Sequence, residues 1–354
     1  MQDSGRPTRR LALVAGMTLG LGGCGIRLED DAPHVPLVPT RTPIPGEADL
    51  LALLRGTRDL AGRLRGAGVD QAAELAGWLR GAGVDQAAEL AGWHDRQAVV
   101  LDAALRRAGV PADAIDPAPT PSGSTGSTTG STGSTTGSAG STTGSASSTP
   151  APAGTAALVR AEQDAVAAVG TLLGIADPGL LTMLSSMRAS RLLACRILGR
   201  DPGPPTAGVA GADAPEPERV VPFLTASREA AYGLEVVAAR ASGARRDRTR
   251  AWLAQVRALA LAQEQAAGAS APPAASAYEL PLSPDEADGA DRLAQYLLAA
   301  LPGAYGDAIG AAARATDGRQ PDRALVALGS DWLARAAGLA ADSGTDPGAF
   351  PGLR

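Results

Sequence analysis

The sequence predicts an all-α protein that is built as two four-helix bundles, joined and interrupted by disordered linkers. Apolar residues make up 45% of the 354 residues, but aromatic residues only 3%. Small apolar side chains favour packed helices, whereas sheets favour β-branched and aromatic residues. Apolar residues, mainly Leu and Ala, recur every three or four residues in several segments, among them 47–64, 155–173 and 245–267, which is helical spacing. No segment alternates apolar and polar residues as a half-buried strand would.

The first 23 residues predict a signal peptide. Arg6, Arg9 and Arg10 form a positively charged start, and an apolar, uncharged run follows at 11–23. That run is too short to span a bilayer, which takes about 20 helical residues, so we interpret it as an export signal. The general secretory route is expected. The twin-arginine route is the alternative, because Thr8-Arg9-Arg10 resembles its signal.

The signal ends in a sequence that predicts a lipid anchor. Leu21-Gly22-Gly23-Cys24 resembles a bacterial lipobox, which implies cleavage before Cys24 and a diacylglycerol on its sulfur. The alternative is an ordinary secretory signal with a Cys there by chance. Cleavage would change the formal charge from −5 to −7, because it removes three Arg and one Asp. An acidic chain disfavours a nucleic-acid partner. Its attachment to the extracytoplasmic face of the membrane would rest on the acyl chains.

Composition then divides the mature chain into stalk, helical segments and linkers. Prolines in the stalk are too dense for a helix. Runs of Ser, Thr and Gly carry too little apolar surface to fold. The predicted segments are a signal peptide at 1–23, a Pro-rich stalk at 24–45, an N-terminal helical bundle at 46–200 interrupted by a Ser/Thr/Gly linker at 118–153, a linker at 201–218, a four-helix domain at 219–342 and a tail at 343–354.

An exact repeat lies in the first bundle. LRGAGVDQAAELAGW occurs at 64–78 and again at 79–93, with every residue identical. Structural repeats diverge, so this identity indicates a recent duplication and not a solenoid. Each copy carries an Asp that is a candidate helix N-cap, Asp70 or Asp85.

The second bundle carries a family resemblance. The stretch AYGLEVVAARASGARRDRTRAWLAQ, the loop APPAASAYELPLSP and the stretch ADRLAQYLLAALPGAYGDAIGAA lie within 220–341. Together they resemble the ferritin-like domain-of-unknown-function family of actinobacterial lipoproteins. The resemblance implies a ferritin-like, up-down antiparallel four-helix bundle and no established activity. Such bundles tolerate one long crossover between their second and third helices. The linker at 118–153 falls at that point, so the first bundle is interpreted as a degenerate copy.

A metal site is not expected in either bundle. A di-iron site in this fold takes a Glu from each of two helices and Glu-x-x-His from each of the others. The second bundle contains no His, so we predict no metal and no cofactor there. Its candidate inward acids are Glu229, Glu235, Glu264 and Asp331.

The first bundle predicts a buried polar cluster. His94 shares an apolar stripe with Leu90 and Leu101, and Glu162 lies on a similar stripe. Arginine would repel a metal ion, whereas buried charges need partners, so an ion-pair network is predicted. Solvent exposure and a ligand site are the alternatives. The predicted cluster is His94, Glu162, Arg188 and Arg191.

No set of residues predicts catalysis. His94 is the only His in the predicted helical regions, and neither a nucleophile elbow nor a phosphate loop is present. Cys195 is predicted to be an inert core thiol. Two functions stay open: a non-catalytic envelope lipoprotein that binds or scaffolds an envelope protein partner, and a ferritin-like metal-binding or redox protein with a degenerate site. The missing ligands favour the first, and the sequence leaves the oligomeric state open.

Overall fold

The fold is all-helical, as predicted. The computed structural model describes residues 41–66, 86–117, 154–200, 214–286, 288–315 and 318–353, and within these ranges it has nine α-helices and no β-strand. The predicted signal peptide, most of the stalk and the linker at 118–153 lie outside the described residues. The candidate caps Asp70 and Asp85 do so as well.

The helices fall into two sets along the chain. The first set ends before the predicted linker at 201–218, and the second set begins at Pro217, within the last residues of that predicted linker. The first set is α1 (Glu47–Gly66), α2 (Gln86–Arg107), the single turn α3 (Ala112–Ile115), α4 (Thr155–Ile175) and α5 (Pro178–Ile197). The second set is α6 (Pro217–Arg240), α7 (Gly243–Ala267), α8 (Gly289–Ala313) and α9 (Arg323–Asp342).

Two helix starts follow directly from the sequence. Asp177 caps α5, because its carboxylate accepts a hydrogen bond from the backbone N–H of Gly179 at 2.8 Å, and Pro178 follows it. Asp322 caps α9 by accepting from the N–H of Leu325, also at 2.8 Å. Each carboxylate satisfies an N–H that the helix itself leaves without a partner.

Each set has the same order of helix directions. In the second set, the contacts of Arg228 with Glu264 and of Arg257 with Glu235 make α6 and α7 antiparallel. Ser227 contacts Tyr305, and Arg219 contacts the carbonyl of Ala312, so α8 also runs opposite to α6. Thus α7 and α8 are parallel to each other and need a long connection.

The first set repeats this arrangement. Arg58 pairs with Asp102, and Arg65 pairs with Asp95, so α1 and α2 are antiparallel. The start of α1 at Gly46 lies against Leu172 near the end of α4, so α4 also runs opposite to α1. A two-residue turn then joins α4 to α5. In both sets, therefore, the long connection lies between the second and third main helices.

The two sets share one core. The described residues between 43 and 353 belong to a single compact unit. Helix α5 is the link: it packs against α4 of its own set and against α8 and α9 of the other. Thirteen of its 20 residues are buried, including the polar Ser185, Ser186 and Ser190. Helix α5 therefore lies inside the molecule and not on the outside of a separate N-terminal bundle.

The last residues of the chain are packed against both sets. We call 343–353 the C-terminal strap. The hydroxyl of Ser186 on α5 donates to the carbonyl of Pro351 at 2.7 Å, and Ala349 is buried. Gly352 has φ +77° and lies so close to α8 that a Cβ on Gly306 would be 1.9 Å from its carbonyl oxygen. The predicted tail is thus an integral part of the packing.

None of the described helices is long and apolar enough to cross a membrane.

Candidate functional site

A buried polar network lies among the four main helices of the first set. His94 Nε2 is 2.7 Å from Glu162 Oε1, and a terminal nitrogen of Arg191 is 3.1 Å from Glu162 Oε2. The other terminal nitrogen of Arg191 donates to Thr57 Oγ1 at 2.8 Å. Helices α1, α2, α4 and α5 therefore contribute one side chain each, and the two charged residues and the imidazole are 0% exposed.

The hydrogen-bond partners and the burial of these groups indicate which of them are charged. A carboxylate only accepts hydrogen bonds, so Nε2 of His94 carries the hydrogen that it donates to Glu162. Burial and the Arg191 guanidinium lower the pKa of His94. Burial by itself would raise the pKa of Glu162, but Arg191 and the hydrogen bond from His94 outweigh it and lower that pKa. At neutral pH the network therefore holds one carboxylate, one guanidinium and a neutral imidazole.

Gln97 connects this network to the C-terminal strap. Its amide nitrogen donates to Ser190 Oγ at 2.9 Å and to the carbonyl of Ala349 at 2.8 Å. Its amide oxygen faces Nδ1 of His94 at 3.4 Å. Gln97 was absent from the predicted cluster, although its position three residues after His94 on the same apolar stripe is the signal that would have indicated it.

Arg188 does not join the predicted cluster. Its guanidinium instead pairs with Asp331 of α9 and donates to the carbonyl of Ala327 at 3.1 Å. Residues three apart on a helix differ in direction by about 60°, which is enough for Arg188 to reach α9 while Arg191 reaches Glu162. The prediction that Arg188 belongs to the cluster with His94, Glu162 and Arg191 is therefore wrong. Arg188 and Asp331 instead form a buried ion pair between the sets.

The four candidate acids of the second set have different surroundings. Glu229, Glu235 and Glu264 are exposed, whereas Asp331 is 6% exposed and pairs with Arg188. Within the part of the chain that the structure describes, no three His, Cys, Asp or Glu side chains come close enough to hold a metal ion.

A second buried polar cluster joins α6, α7 and α8. Ser227 Oγ donates to Gln263 Oε1 at 2.6 Å and contacts the Tyr305 hydroxyl at 2.5 Å. Gln263 Nε2 donates to the same hydroxyl at 2.7 Å. Burial raises the pKa of Tyr305 to about 12, so the phenol stays protonated. A search for His and acids misses this cluster, because its members are uncharged at neutral pH.

A surface cleft of about 440 Å³ lies where the first set, α9 and the strap meet. Leu90, Leu193 and Ile197 form part of its apolar wall. Its volume is within the range of small-molecule sites. Its polar and charged lining residues are Gln86, Glu89, Trp93, Arg196, Asp342, Thr345 and Asp346.

The cleft has a surplus of acids. Arg196 pairs with Asp342 at 2.7 Å, which leaves Glu89 and Asp346 as further carboxylates. Burial and the charge of Asp346 raise the pKa of Glu89, against a smaller effect of Arg96. At Glu89, burial and the neighbouring carboxylate therefore outweigh the positive charge of Arg96.

Cys195 is the cysteine that lies within the described residues. Burial raises the pKa of the Cys195 thiol to about 12, so it is a poor nucleophile, in keeping with the predicted inert core position. Cys24 lies outside the described residues.

Comparison with known proteins finds one family that is similar to part of the chain. Residues 222–354 match a family described as a domain of unknown function (DUF4439). The match runs from α6 to the end of the chain and includes the C-terminal strap. No curated protein and no solved structure matches the chain.

Proposed function

We propose that the protein is a lipid-anchored, non-catalytic binding protein on the extracytoplasmic face of the cell membrane. The cleft between the first helical set, α9 and the strap carries this proposal, because it combines an apolar wall with polar groups from several elements. Such a combination is typical of ligand sites. An envelope protein that presents the matching group is the expected partner.

The alternative, a metal-binding or redox protein, has less support. The one buried pairing of an imidazole with a carboxylate is His94 with Glu162, within the described ranges. A guanidinium nitrogen of Arg191 lies 3.2 Å from His94 Nε2 and 3.1 Å from Glu162, so a positive charge already occupies the place where a cation would bind. This arrangement favours an ion-pair network over a ligand set.

We further propose that both helical sets derive from ferritin-like bundles. The shared order of helix directions supports this, since ferritin-like bundles have one long crossover between their second and third helices. In the second set the polar cluster that joins α6, α7 and α8 consists of a hydroxyl, an amide and a phenol, from Ser227, Gln263 and Tyr305, and the buried carboxylate of Asp331 is paired with Arg188. These groups suit a hydrogen-bonded core better than a di-iron site, which needs carboxylates.

The charge of the cleft indicates the class of ligand. Three carboxylates line it against one guanidinium, and Glu89 is partly desolvated beside Asp346. An ammonium group between these two carboxylates would relieve their repulsion, while the partly exposed Ile197 could contact an apolar body next to it. The partner is therefore expected to present an amine on an apolar side chain.

The cleft can be tested with a small amine. We expect 2-phenylethylamine to shift the indole N–H resonance of Trp93 in a saturable way, because that residue lines the cleft. The resonance is assigned by its loss in Trp93→Phe. Glu89→Gln should weaken binding about tenfold or more, which corresponds to about 1.4 kcal/mol for one lost charge partner.

Two controls accompany this titration. Glu229→Gln removes an exposed carboxylate elsewhere and should leave binding unchanged, and 2-phenylethanol tests whether the ammonium is needed. Equal binding of the amine and the alcohol, or unchanged binding in Glu89→Gln, would refute the charge argument.

The anchor can be tested separately. Cys24→Ala should move the protein from the membrane fraction to the soluble extracytoplasmic fraction, because the acyl chains are the expected attachment. Fractionation after a salt wash measures this. If the variant stays fully with the membrane after the wash, the lipoprotein proposal is wrong.

A further inference from the structure

The cleft contains hydrogen-bonding groups that a simple amine would leave unused. Arg196 of α5 lines the cleft, and one terminal nitrogen of its guanidinium donates to Asp342 at 2.7 Å. Among the described residues, its other nitrogens have no hydrogen-bond acceptor, and the side chain is 39% exposed. An Arg side chain has five N–H donors. The cleft therefore offers a ligand several unused donors.

Helix α9 positions this guanidinium. Gly338 and Asp342 are four residues apart, so they lie on the same face of α9. A Cβ at Gly338 would be 2.3 Å from a terminal nitrogen of Arg196, so the missing side chain leaves the room that the guanidinium takes. Because Asp342 already compensates the charge of Arg196, a neutral carbonyl suits the unused donors better than a second carboxylate does.

Gln86 of α2 supplies an unused acceptor to the same cleft. Its amide oxygen is buried and has no hydrogen-bond partner within the stretches of chain described above. The residue as a whole is partly exposed, so the amide can turn towards a ligand without breaking a hydrogen bond of that oxygen. A buried acceptor without a donor costs free energy. An N–H of the ligand would therefore be stabilised there.

The donor and the acids lie at one end of the first set. His94 of α2 and Arg191 of α5 are 3.2 Å apart, and these two helices run in opposite directions. Glu89 precedes His94 by five residues. Arg196 follows Arg191 by five residues, so both cleft residues lie about 7.5 Å beyond the buried network along the helix axes. A ligand between α2 and α5 can therefore reach both.

The C-terminal strap holds the second carboxylate of the acidic pair. The N–H of Thr345 donates to the carbonyl of Ala340 at 2.9 Å, which attaches the strap to the end of α9. The carboxylate of Asp346 accepts a hydrogen bond from the N–H of Gly348 at 2.7 Å. This side of the cleft is thus formed before a ligand binds, which lowers the entropic cost of binding.

We propose that the cleft binds the free amino terminus of a polypeptide whose first residue is apolar. The inference rests on the proposed function, a site for an amine, and names the kind of amine. The α-ammonium lies between Glu89 and Asp346, and the first side chain contacts Ile197. A backbone carbonyl then accepts from Arg196, and a backbone N–H donates to Gln86. Capture of an N-terminal amine is an established mode of peptide recognition.

Calorimetric titration of the mature chain with two small probes tests the proposal. L-phenylalanyl-L-alanine amide is 2-phenylethylamine with a peptide group added beside the amine, so the ratio of the two affinities measures what that group contributes. At pH 6.5 both amines are charged, because a free α-amino group has a pKa of about 7.7–8.0. The dipeptide amide should bind about tenfold more tightly, through two added hydrogen bonds.

A third probe separates an amino terminus from an amine on a side chain. N-acetyl-L-phenylalanyl-L-lysine amide carries an aromatic group, peptide groups and an ammonium, but its terminus is blocked and its amine lies on the lysine. It should bind about tenfold more weakly than the dipeptide amide, because its ammonium is separated from the backbone groups by a flexible side chain.

Variants assign the gain to named residues. Arg196→Met together with Asp342→Asn removes the guanidinium and leaves the charge of the cleft unchanged, and the ratio of the dipeptide amide to 2-phenylethylamine should fall about threefold or more. Gln86→Met should lower the same ratio. The matched control replaces an exposed ion pair elsewhere, Arg257→Met with Glu235→Gln, and should leave the ratio unchanged.

The proposal is overturned if the dipeptide amide binds no more tightly than 2-phenylethylamine, if the N-acetylated lysine probe binds as tightly as the dipeptide amide, or if the Arg196 and Asp342 double variant keeps the full ratio. In these cases binding of 2-phenylethylamine itself would still support the proposed function. Absence of binding by all three probes would refute both. The comparison between probes uses the unaltered chain, so it decides the matter even if a variant does not fold.

Discussion

Glu162→Gln should lower the free energy of unfolding by about 3–5 kcal/mol, the usual cost of removing one partner from a buried ion pair. The substitution keeps the shape of the side chain and removes its charge, so Arg191 is left as a buried cation beside His94. Both side chains are 0–1% exposed, so screening by bulk solvent offsets little of this loss. Urea unfolding measures the effect as a lower midpoint with an unchanged slope.

Two further variants make the interpretation specific. Glu229→Gln removes an exposed carboxylate and should leave the midpoint unchanged. Replacing the whole triad, as His94→Leu, Glu162→Leu and Arg191→Met together, should recover most of the lost stability, because a packed apolar core can replace a complete ion-pair network. A Glu162→Gln variant as stable as the wild type would contradict the network.

Gly306→Ala should lower the free energy of unfolding by about 1–3 kcal/mol, the usual cost of overpacking. The new Cβ would lie 1.9 Å from the carbonyl oxygen and 2.5 Å from the carbonyl carbon of Gly352. Both contacts are backbone atoms, so no side chain can turn away, and the C-terminal strap has to move. Limited proteolysis of 343–353 should therefore become faster, together with the lower urea midpoint.

The same helix provides a control of opposite sign. Gly310 lies one turn later, and a Cβ there would meet its nearest atom, on the flexible Arg314 side chain, at 3.6 Å. Gly310→Ala should raise the free energy of unfolding by about 0.5–1 kcal/mol, because alanine favours a helix more than glycine. If both variants change stability in the same direction, the close approach of the strap to α8 is refuted.

The fold class was predictable because helical periodicity is a local property. The apolar stripes predicted helices at 47–64, 155–173 and 245–267, and the structure has helices at Glu47–Gly66, Thr155–Ile175 and Gly243–Ala267. The sharing of one core by both sets was not predictable in the same way. It depends on α5 being buried on several sides, and an amphipathic pattern reports only one buried face.

The candidate site was predictable in part, for a related reason. His94 and Glu162 stand out as polar residues on apolar stripes, and each needs a partner. Arg191 follows as the partner, but periodicity could not tell it from Arg188, which lies less than a turn away. Which of the two faces Glu162 depends on what packs on each side of α5. The strap contact of Gln97 spans 252 positions, so no local pattern could reveal it.

Because α5 is central, the region that matches the family and the region that packs as one core have different boundaries in this chain. The family match begins at residue 222, after α5, yet Asp331 within the matched region has its buried charge partner, Arg188, on that helix. The carbonyls of Val326 and Pro351 likewise accept hydrogen bonds from Ser185 and Ser186. In this chain the matched region therefore completes its interior with a helix from outside its own boundary. A relative that consists of the matched region alone must cover that face differently, with an added helix or with a second chain.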